Sequence, residues 1–439
     1  MIKEGLQKLK EKKLLDALDI FHSLDRSNSK NPDILFCLGN VYYELNDLNK
    51  SLFYFEQSYK YNPTSEIIIN NYAIALQSLG RIEDAKLLFN KLIGINPNNI
   101  KAYYRLFRIN LKEFENNYIE KVRTLENEDN LTLEDKSLIY YMLSKHAQQN
   151  NNINREIKLL KKAHELYFEY KQKYNLNLSN YYIKILPKRF DEINFYNQNK
   201  ISSDTKNKEP IFIIGLPRSG STLIESLLSH NNKKFYSYGE CGIFHSSIIS
   251  QIKDNFSMGN SEFNIDLGMI NSSTKDIYNY SKEKNFIDKS LENFFYIDLI
   301  LKIFPNAKFI HTYRNRFDAA ISIYQSMLIY LPWTHSLNNI LLYILNYEKI
   351  IKYFKKKYSN KILNVDLEEL TINSKYNIKK IFDFCNIEWN ENVLEFYKNK
   401  NISSKSSSFL QIRNKIQKYK KNKYKPYYHL IENNKEINF

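Results

Sequence analysis

Apolar residues in the first hundred positions follow a helical spacing, and that spacing recurs as whole units. Leu38-Gly39-x-x-Tyr42, Ser51, Phe55 and Asn62-Pro63 return 34 residues later as Tyr72-Ala73-x-x-Leu76, Ala85, Phe89 and Asn96-Pro97, and 34 residues earlier as Gly5, Ala17 and Phe21. Small residues recur where two helices must cross closely, and large apolar ones fill the groove beside them. Each unit predicts a helix hairpin that cannot bury its apolar face alone, so neighbours must stack. A looser hairpin is expected from Leu133 to Tyr170, with Leu143-Ser144 and Ala163 in comparable places. Residues 100–195 as a whole fit either further repeats or a plain helical bundle. The polar stretch Asn197 to Glu209 reads as a linker.

From Pro210 the pattern changes. Ile211-Phe212-Ile213-Ile214 is a short apolar strand, followed by Gly215-Leu216-Pro217-Arg218-Ser219-Gly220-Ser221-Thr222, and then by a helix with apolar residues at 223, 224, 227 and 228. Further strand-like pieces are Phe235-Tyr236-Ser237, Phe286-Ile287-Asp288 and Ala307 to Tyr313. The most apolar run, Ile340 to Ile351, is interrupted by Asn346, Glu348 and Lys349 and reads as a buried helix rather than a membrane span. The N-terminal units resemble the tetratricopeptide repeat, which has the same period and the same small, aromatic and proline positions. The resemblance covers about residues 1–100, without the signature Trp.

Strand, glycine-bounded loop and helix wrap backbone N–H groups around a phosphate at a helix N-terminus. The Gly215-to-Gly220 spacing matches the nucleotide-kinase loop and Thr222 takes its hydroxyl position, but Ser221 stands where that loop needs Lys. The cation sits inside the loop as Arg218, whose guanidinium can fork onto a terminal phosphate or sulfate without a metal. A second anchor is expected where the strand Ala307–Tyr313 ends in Arg314, because open α/β sheets bind ligands at the carboxyl ends of strands. Ser322 follows two helical turns later.

Pro217-Arg218-Ser219-Gly220-Ser221-Thr222 after an apolar strand resembles the donor loop of the sulfotransferase superfamily. It is most similar to bacterial proteins that join tetratricopeptide repeats to a domain related to tyrosylprotein sulfotransferases. The resemblance covers roughly Pro210 to Leu430. It implies a 3′-phosphoadenosine-5′-phosphosulfate donor held by Arg218, Ser219, Gly220, Ser221 and Thr222, with Arg314 and Ser322 on its 3′-phosphate and Ser408 approaching it late in the chain. It implies Glu240, in Tyr238-Gly239-Glu240, as the base for the acceptor hydroxyl, and Lys289 as the cation that steadies the bridging oxygen. His230 is expected to cap the loop helix rather than act as a base. Two departures stand out. The family's Gly-Arg-Trp-like lid corresponds here to Lys420–Tyr427, where Tyr424 replaces the Trp, and Leu367 replaces a Tyr that often follows the fifth strand.

At 439 residues, 43% of them hydrophobic, the chain can hold two or three domains with real cores. The net charge of +16 would attract polyanions, but Asn, Lys, Ile and Tyr are abundant throughout, and a compositional bias accounts for much of it. There is no recognition-helix or stacking motif, so no nucleic-acid role is expected. Cys37, Cys241 and Cys385 are widely spaced and predict neither disulfides nor a zinc site. No cluster has metal-ligand spacing, and the first residues show no signal peptide or transmembrane segment, so a cytoplasmic protein is expected.

The expectation is therefore an α-helical, tetratricopeptide-like solenoid over residues 1–195, a linker over 196–209, and a P-loop-type α/β domain with a central parallel sheet over 210–439, ending in a basic tail. Its function would be sulfuryl transfer to a hydroxyl acceptor. The acceptor is open among peptide, saccharide, lipid and small molecule, with segments 255–280 and 326–336 shaping its pocket. The repeats favour a polypeptide and offer a surface for a protein partner. Two other readings remain: a non-catalytic repeat adaptor with a vestigial nucleotide-binding domain, and a P-loop nucleotide or small-molecule kinase.

Overall fold

The computed structural model describes residues 1–439 apart from 29, 231–233, 258–262, 281–284, 399–402, 407, 433–436 and 438. Paired helices open the chain: α1 (Ile2–Lys10), α2 (Leu14–Ser27), α3 (Pro32–Glu44), α4 (Leu48–Tyr61), α5 (Glu66–Ser78), α6 (Ile82–Ile95), α7 (Ile100–Ile109), α8 (Leu111–Leu125), α9 (Leu133–Gln149) and α10 (Ile153–Tyr170). Their starts are written locally. The Asn31 side chain accepts from the N–H groups of Asp33 and Ile34, with Pro32 in the first turn. Thr132 and Asp135 form a reciprocal capping box on α9.

The 34-residue period has a steric cause. A Cβ on Gly39 would lie 2.6 Å from the Phe55 ring, and one on Gly5 would lie 2.6 Å from the Phe21 ring. The glycine lets the partner helix press its phenylalanine against the backbone. Ala73 and Phe89, both fully buried, occupy the same places in the third unit. The Leu133–Tyr170 hairpin also forms, and the Ser137 hydroxyl donates to the Ala163 carbonyl across it at 2.8 Å.

The second half builds one parallel sheet from β1 (Ile211–Gly215), β2 (Phe235–Ser237), β3 (Asn285–Asp288), β4 (Lys308–Tyr313) and β5 (Ile362–Asp366), in the order β2-β3-β1-β4-β5. Both faces are covered, so the strands read as unbroken apolar runs. Phe212 and Ile214 face a large core with Phe286 and Phe309, whereas Ile211 and Ile213 face another with Ile224, Ile310 and Val365. The helices that matter below are α11 (Ser221–Ser229), α12 (Arg316–Tyr324) and α13 (Leu337–Lys357). The apolar run at 340–351 lies inside α13. Among the described residues, no helix is long and apolar enough to cross a membrane. A helical repeat region followed by a P-loop-type α/β domain is thus what the chain builds.

The halves share a core that runs from Leu14 to Ile431. The Tyr141 hydroxyl donates to the Gln325 carbonyl at 3.3 Å. His164 Nε2 donates to the Tyr324 carbonyl at 2.9 Å, and its Nδ1 meets Nδ1 of His335 at 3.0 Å. The polar stretch expected as a linker is folded down. Asn194–Tyr196 pairs in parallel with Asn264–Asp266, and Ile201 and Thr205 are buried. Two buried side chains, one apolar and one a threonine, hold a stretch whose composition is otherwise that of a tether. The C-terminal segment returns to the repeats. The Ser404 N–H donates to the Ser78 carbonyl at 2.9 Å, Lys405 Nζ to the Tyr43 carbonyl at 2.9 Å, and the Tyr427 hydroxyl to buried Glu156 at 2.6 Å.

Two stability measurements follow. Gly39→Ala should destabilise the protein by about 1–3 kcal/mol in chemical denaturation, because the added methyl has no room beside Phe55. Burial holds His164, His245 and His311 down at about 4, from 6.5. The unfolded chain therefore binds protons that the folded chain refuses between these values, and the melting temperature should fall as pH drops from 6.5 towards 4.

Candidate active site

The phosphate loop follows β1, and its shape comes from backbone constraints. Gly215 has φ +145°, and a Cβ there would lie 2.2 Å from the Thr312 carbonyl oxygen, so only glycine permits this approach of β1 to β4. Gly220, at φ +91°, turns the chain into α11. Arg218 itself sits at φ +66°, an unusual conformation for a residue with a side chain. Ser219 is turned away from the loop's mouth: its hydroxyl donates to the Leu216 carbonyl at 2.5 Å and meets the Thr312 hydroxyl at 2.7 Å. It fastens the loop to β4. Ser221 and Thr222 form the first turn of α11, where unpaired N–H groups and the helix dipole favour an anion.

The two cationic anchors meet. Arg314 Nη1 donates to the Arg218 carbonyl at 3.4 Å, and its Nη2 pairs with Asp318 at 3.3 Å. Its guanidinium lies 5.6 Å from the centre of the Tyr419 ring and 5.2 Å from that of Tyr424. The Tyr424 hydroxyl donates to Ser322 at 3.3 Å, which brings Ser322 into the same group. Arg218 Nη1 donates to the Ser408 hydroxyl at 2.7 Å, and Thr222 donates to Ser406 at 3.2 Å. Buried Asp318 also accepts from the hydroxyls of Tyr419 and Tyr428. Burial lowers the Arg218 pKa, and the neighbouring cations Arg314 and Arg108 push it the same way. Nε of Arg218 and Nε of Arg314 are both buried without a hydrogen-bond partner. The pocket thus has donors and positive charge in excess of its anions, which is the condition for binding one.

A second cluster lies at the ends of β2 and β3. The ladder continues past the strands, with Tyr238 N–H on the Ile287 carbonyl and Lys289 N–H on the Gly239 carbonyl, both at 2.9 Å. Glu240 and Lys289 thereby emerge side by side. Lys289 Nζ pairs with Glu240 Oε1 and lies 3.5 Å from Glu225 Oε2. Its side chain is 2% exposed, against 57% for Glu240. Burial opposes the ammonium charge, but the carboxylates of Glu240 and Glu225 outweigh it and hold Lys289 above the usual lysine range. Asp288 is anchored beneath, accepting from the Tyr278 hydroxyl at 2.7 Å and the Ser290 N–H at 2.8 Å. Burial pushes the carboxyl of Glu292 up to about 7, with Glu240 and Asp288 adding to the effect. Helix α11 joins the clusters: Thr222 lies at the phosphate loop and Glu225, three residues or about 4.5 Å further along, lies at Lys289. Burial lowers the pKa of Lys405, whose Nζ donates to the Tyr43 carbonyl, while the charges of Glu44 and Glu240 act in the opposite sense.

Every expected site residue is therefore in one of two adjoining groups, except that Gly220 contributes a turn and Ser219 a fastening. Arg314 engages the expected phosphate anchor and Asp318 at once. His230 ends α11, with its N–H on the Leu227 carbonyl at 3.4 Å. Glu225, Glu292 and Tyr419 were not foreseen. Glu225 left a mark in the sequence, as the one charged residue in Ser221–Ser229. Part of the expected acceptor segment, residues 258–262, lies outside the described residues. Among the described residues, no group of three His, Cys, Asp or Glu side chains could hold a metal.

Residues 210–391 match the sulfotransferase family, and residues 32–65 and 68–99 match tetratricopeptide repeats. The chain carries a sulfotransferase-family domain behind tetratricopeptide repeats. An uncharacterised protein of Aquifex aeolicus (strain VF5) is 26% identical over 398 residues, which covers 82% of this chain and 48% of that protein. The chain thus spans about half the length of that relative. The peroxisomal targeting signal receptor of Candida glabrata is 29% identical over 83 residues, 19% of this chain and 14% of the receptor. Among solved structures, the sulfotransferase domain of the Synechococcus PCC 7002 olefin synthase is 18% identical, with a TM-score of 0.36, over 50% of this chain and 88% of that one. The sulfotransferase domain of the curacin biosynthetic pathway is 15% identical, with a TM-score of 0.34, over 50% and 91%. At such scores these structures add no weight to the topology described above.

The excess of buried donors gives a direct test. Pyrophosphate should raise the melting temperature of the protein by a few degrees, and Arg218→Ala should abolish the rise in a thermal-shift titration.

Proposed function

We propose that the protein moves a sulfuryl group from 3′-phosphoadenosine-5′-phosphosulfate to an acceptor hydroxyl. The observation that carries this reading is the contact between Arg314 and the Arg218 carbonyl, which brings two arginines at neighbouring strand ends together. A nucleotide with a phosphate at each end of its ribose suits that pair. In this reading the loop N–H groups of α11, with Arg218, Ser221 and Thr222, hold the 5′-phosphosulfate, and Gly220 and Ser219 shape the loop. Arg314 and Ser322 hold the 3′-phosphate. Ser408 fixes the Arg218 guanidinium, and the rings of Tyr419 and Tyr424 flank Arg314 in place of the family's Trp. No step requires a metal ligand set.

Sulfuryl transfer resembles phosphoryl transfer, an in-line displacement with charge spreading to the leaving oxygen. The S–O bond to the donor phosphate breaks as an S–O bond to the acceptor forms. Glu240, the more exposed carboxylate, takes the acceptor proton. Lys289, charged and nearly buried, steadies the oxygen that leaves on adenosine 3′,5′-bisphosphate. A polypeptide acceptor is the finer reading. It is supported by the repeat turn beside this cluster, where Asn46 Nδ2 donates to the Ser237 carbonyl at 2.7 Å and Asp47 accepts from the Tyr280 hydroxyl at 3.0 Å. Part of the repeat surface already holds the chain's own Ser404, Lys405 and Arg413, so a further protein partner would use what remains. A cytoplasmic setting fits the free thiols of Cys37, Cys241 and Cys385.

Calorimetry with adenosine 3′,5′-bisphosphate should find measurable affinity, weakened by about 2–5 kcal/mol in Arg314→Ala. With labelled donor and a panel of acceptors, Glu240→Gln should lose about 100-fold or more in kcat while keeping bisphosphate affinity. Wild-type protein that neither binds the bisphosphate nor transfers label would overturn the proposal.

A further inference from the structure

Two carboxylates serve one buried ammonium at Lys289, and they differ in freedom. Glu240 is largely exposed and projects from a loop. Glu225 is 13% exposed and fixed from both directions. It stands on α11, the helix that begins at the phosphate loop, and its Oε1 accepts from the Ser237 hydroxyl at 2.5 Å. Ser237 is itself held, its carbonyl accepting from Asn46 of the repeat turn and its hydroxyl accepting from the Gly239 N–H at 3.2 Å. A base that receives a proton must loosen its grip on the lysine, and a lysine that serves a leaving oxygen must not follow it. A buried ammonium left without a counter-ion would lose its proton or its place.

We propose that Glu225 is the positioning residue of the site: it remains with Lys289 throughout the reaction, so that Glu240 is released to take the acceptor proton while the ammonium stays aimed at the leaving oxygen. This rests on the sulfuryl-transfer reading above and adds a residue to it. In this role Glu225 needs no contact with donor or acceptor. It acts through Lys289, and its own place depends on Ser237 and hence on the α3–α4 turn of the repeats.

The test uses the full chain carrying Glu225→Gln, which keeps the shape and removes the charge. The kcat for labelled donor should fall at least about tenfold, with the donor KM and bisphosphate affinity within about twofold of wild type. The basic limb of the kcat–pH profile should move to lower pH, because Lys289 loses one of the carboxylates that raise its pKa. Trace acetylation of Lys289 with acetic anhydride at pH 9, read by peptide mass spectrometry, should quicken by at least about threefold, the change expected from half a pKa unit. Ser237→Ala should shift both readouts in the same direction by less, and it serves if the first variant does not fold. An unchanged kcat, or a fallen kcat with unchanged Lys289 acetylation, would overturn the role given to Glu225. Quickened acetylation in a protein whose wild type transfers no label would uphold the pairing of Glu225 with Lys289 and sink the sulfuryl-transfer reading instead.

Discussion

Two arginines brought together at neighbouring strand ends, the Arg314 guanidinium on the Arg218 carbonyl, are the constraint around which this molecule is arranged. Like charges repel, and burial makes each charge more costly, so Arg218 and Arg314 stay together only because other groups hold them. Asp318 neutralises one of them, tyrosine rings flank it, and Ser408 ties down the other. The remaining buried Nε atoms have no protein partner. An anionic ligand would complete this arrangement, and the parallel sheet supplies the geometry for it, because β1 and β4 are neighbours whose carboxyl ends point the same way.

The repeats are part of that arrangement. The segment that carries Ser406 and Ser408 to the phosphate loop is pinned at Ser404 and Lys405 to the carbonyls of Ser78 and Tyr43. Arg413 reaches the Ser78 carbonyl at 3.2 Å, beside Gly80, where a Cβ would lie 2.6 Å from its Nε. Tyr427 closes on Glu156 of α10, which also accepts from Gln325 just beyond α12 at 2.9 Å. The helical half thus supports the phosphate loop through the C-terminal segment and the Lys289 side through Asn46 and Ser237. Loss of repeat packing should therefore be felt at the site without any residue of the site being changed.

Much of this was legible in the order of residues, wherever the physics is local. The Gly39–Phe55 crossing leaves a period because one helix hairpin encodes it, and the phosphate loop is legible because strand, glycine turn and helix lie within a dozen residues. Arg314 and Ser322 were visible as a strand end and a helix spacing. The rest depends on distance. Asp318 is legible as a helix-start acid, but not as the acceptor of two tyrosine hydroxyls from a hundred residues away. The residues around 197–209 look like a tether because their polarity hides the two side chains that are buried. Glu225 stood in plain view on α11, yet its pairing appears only where the end of β3 brings Lys289 against it. The basic tail was legible as a lid segment with Tyr424 in the place of Trp, but nothing local to it places the Tyr424 hydroxyl on Ser322.

The most direct measurement is a crystal structure of the full chain with adenosine 3′,5′-bisphosphate. The account predicts the 5′-phosphate on the first turn of α11 with Arg218, and the 3′-phosphate on Arg314 and Ser322. A nucleotide bound elsewhere, with Arg218 and Arg314 still without an anion between them, would contradict it.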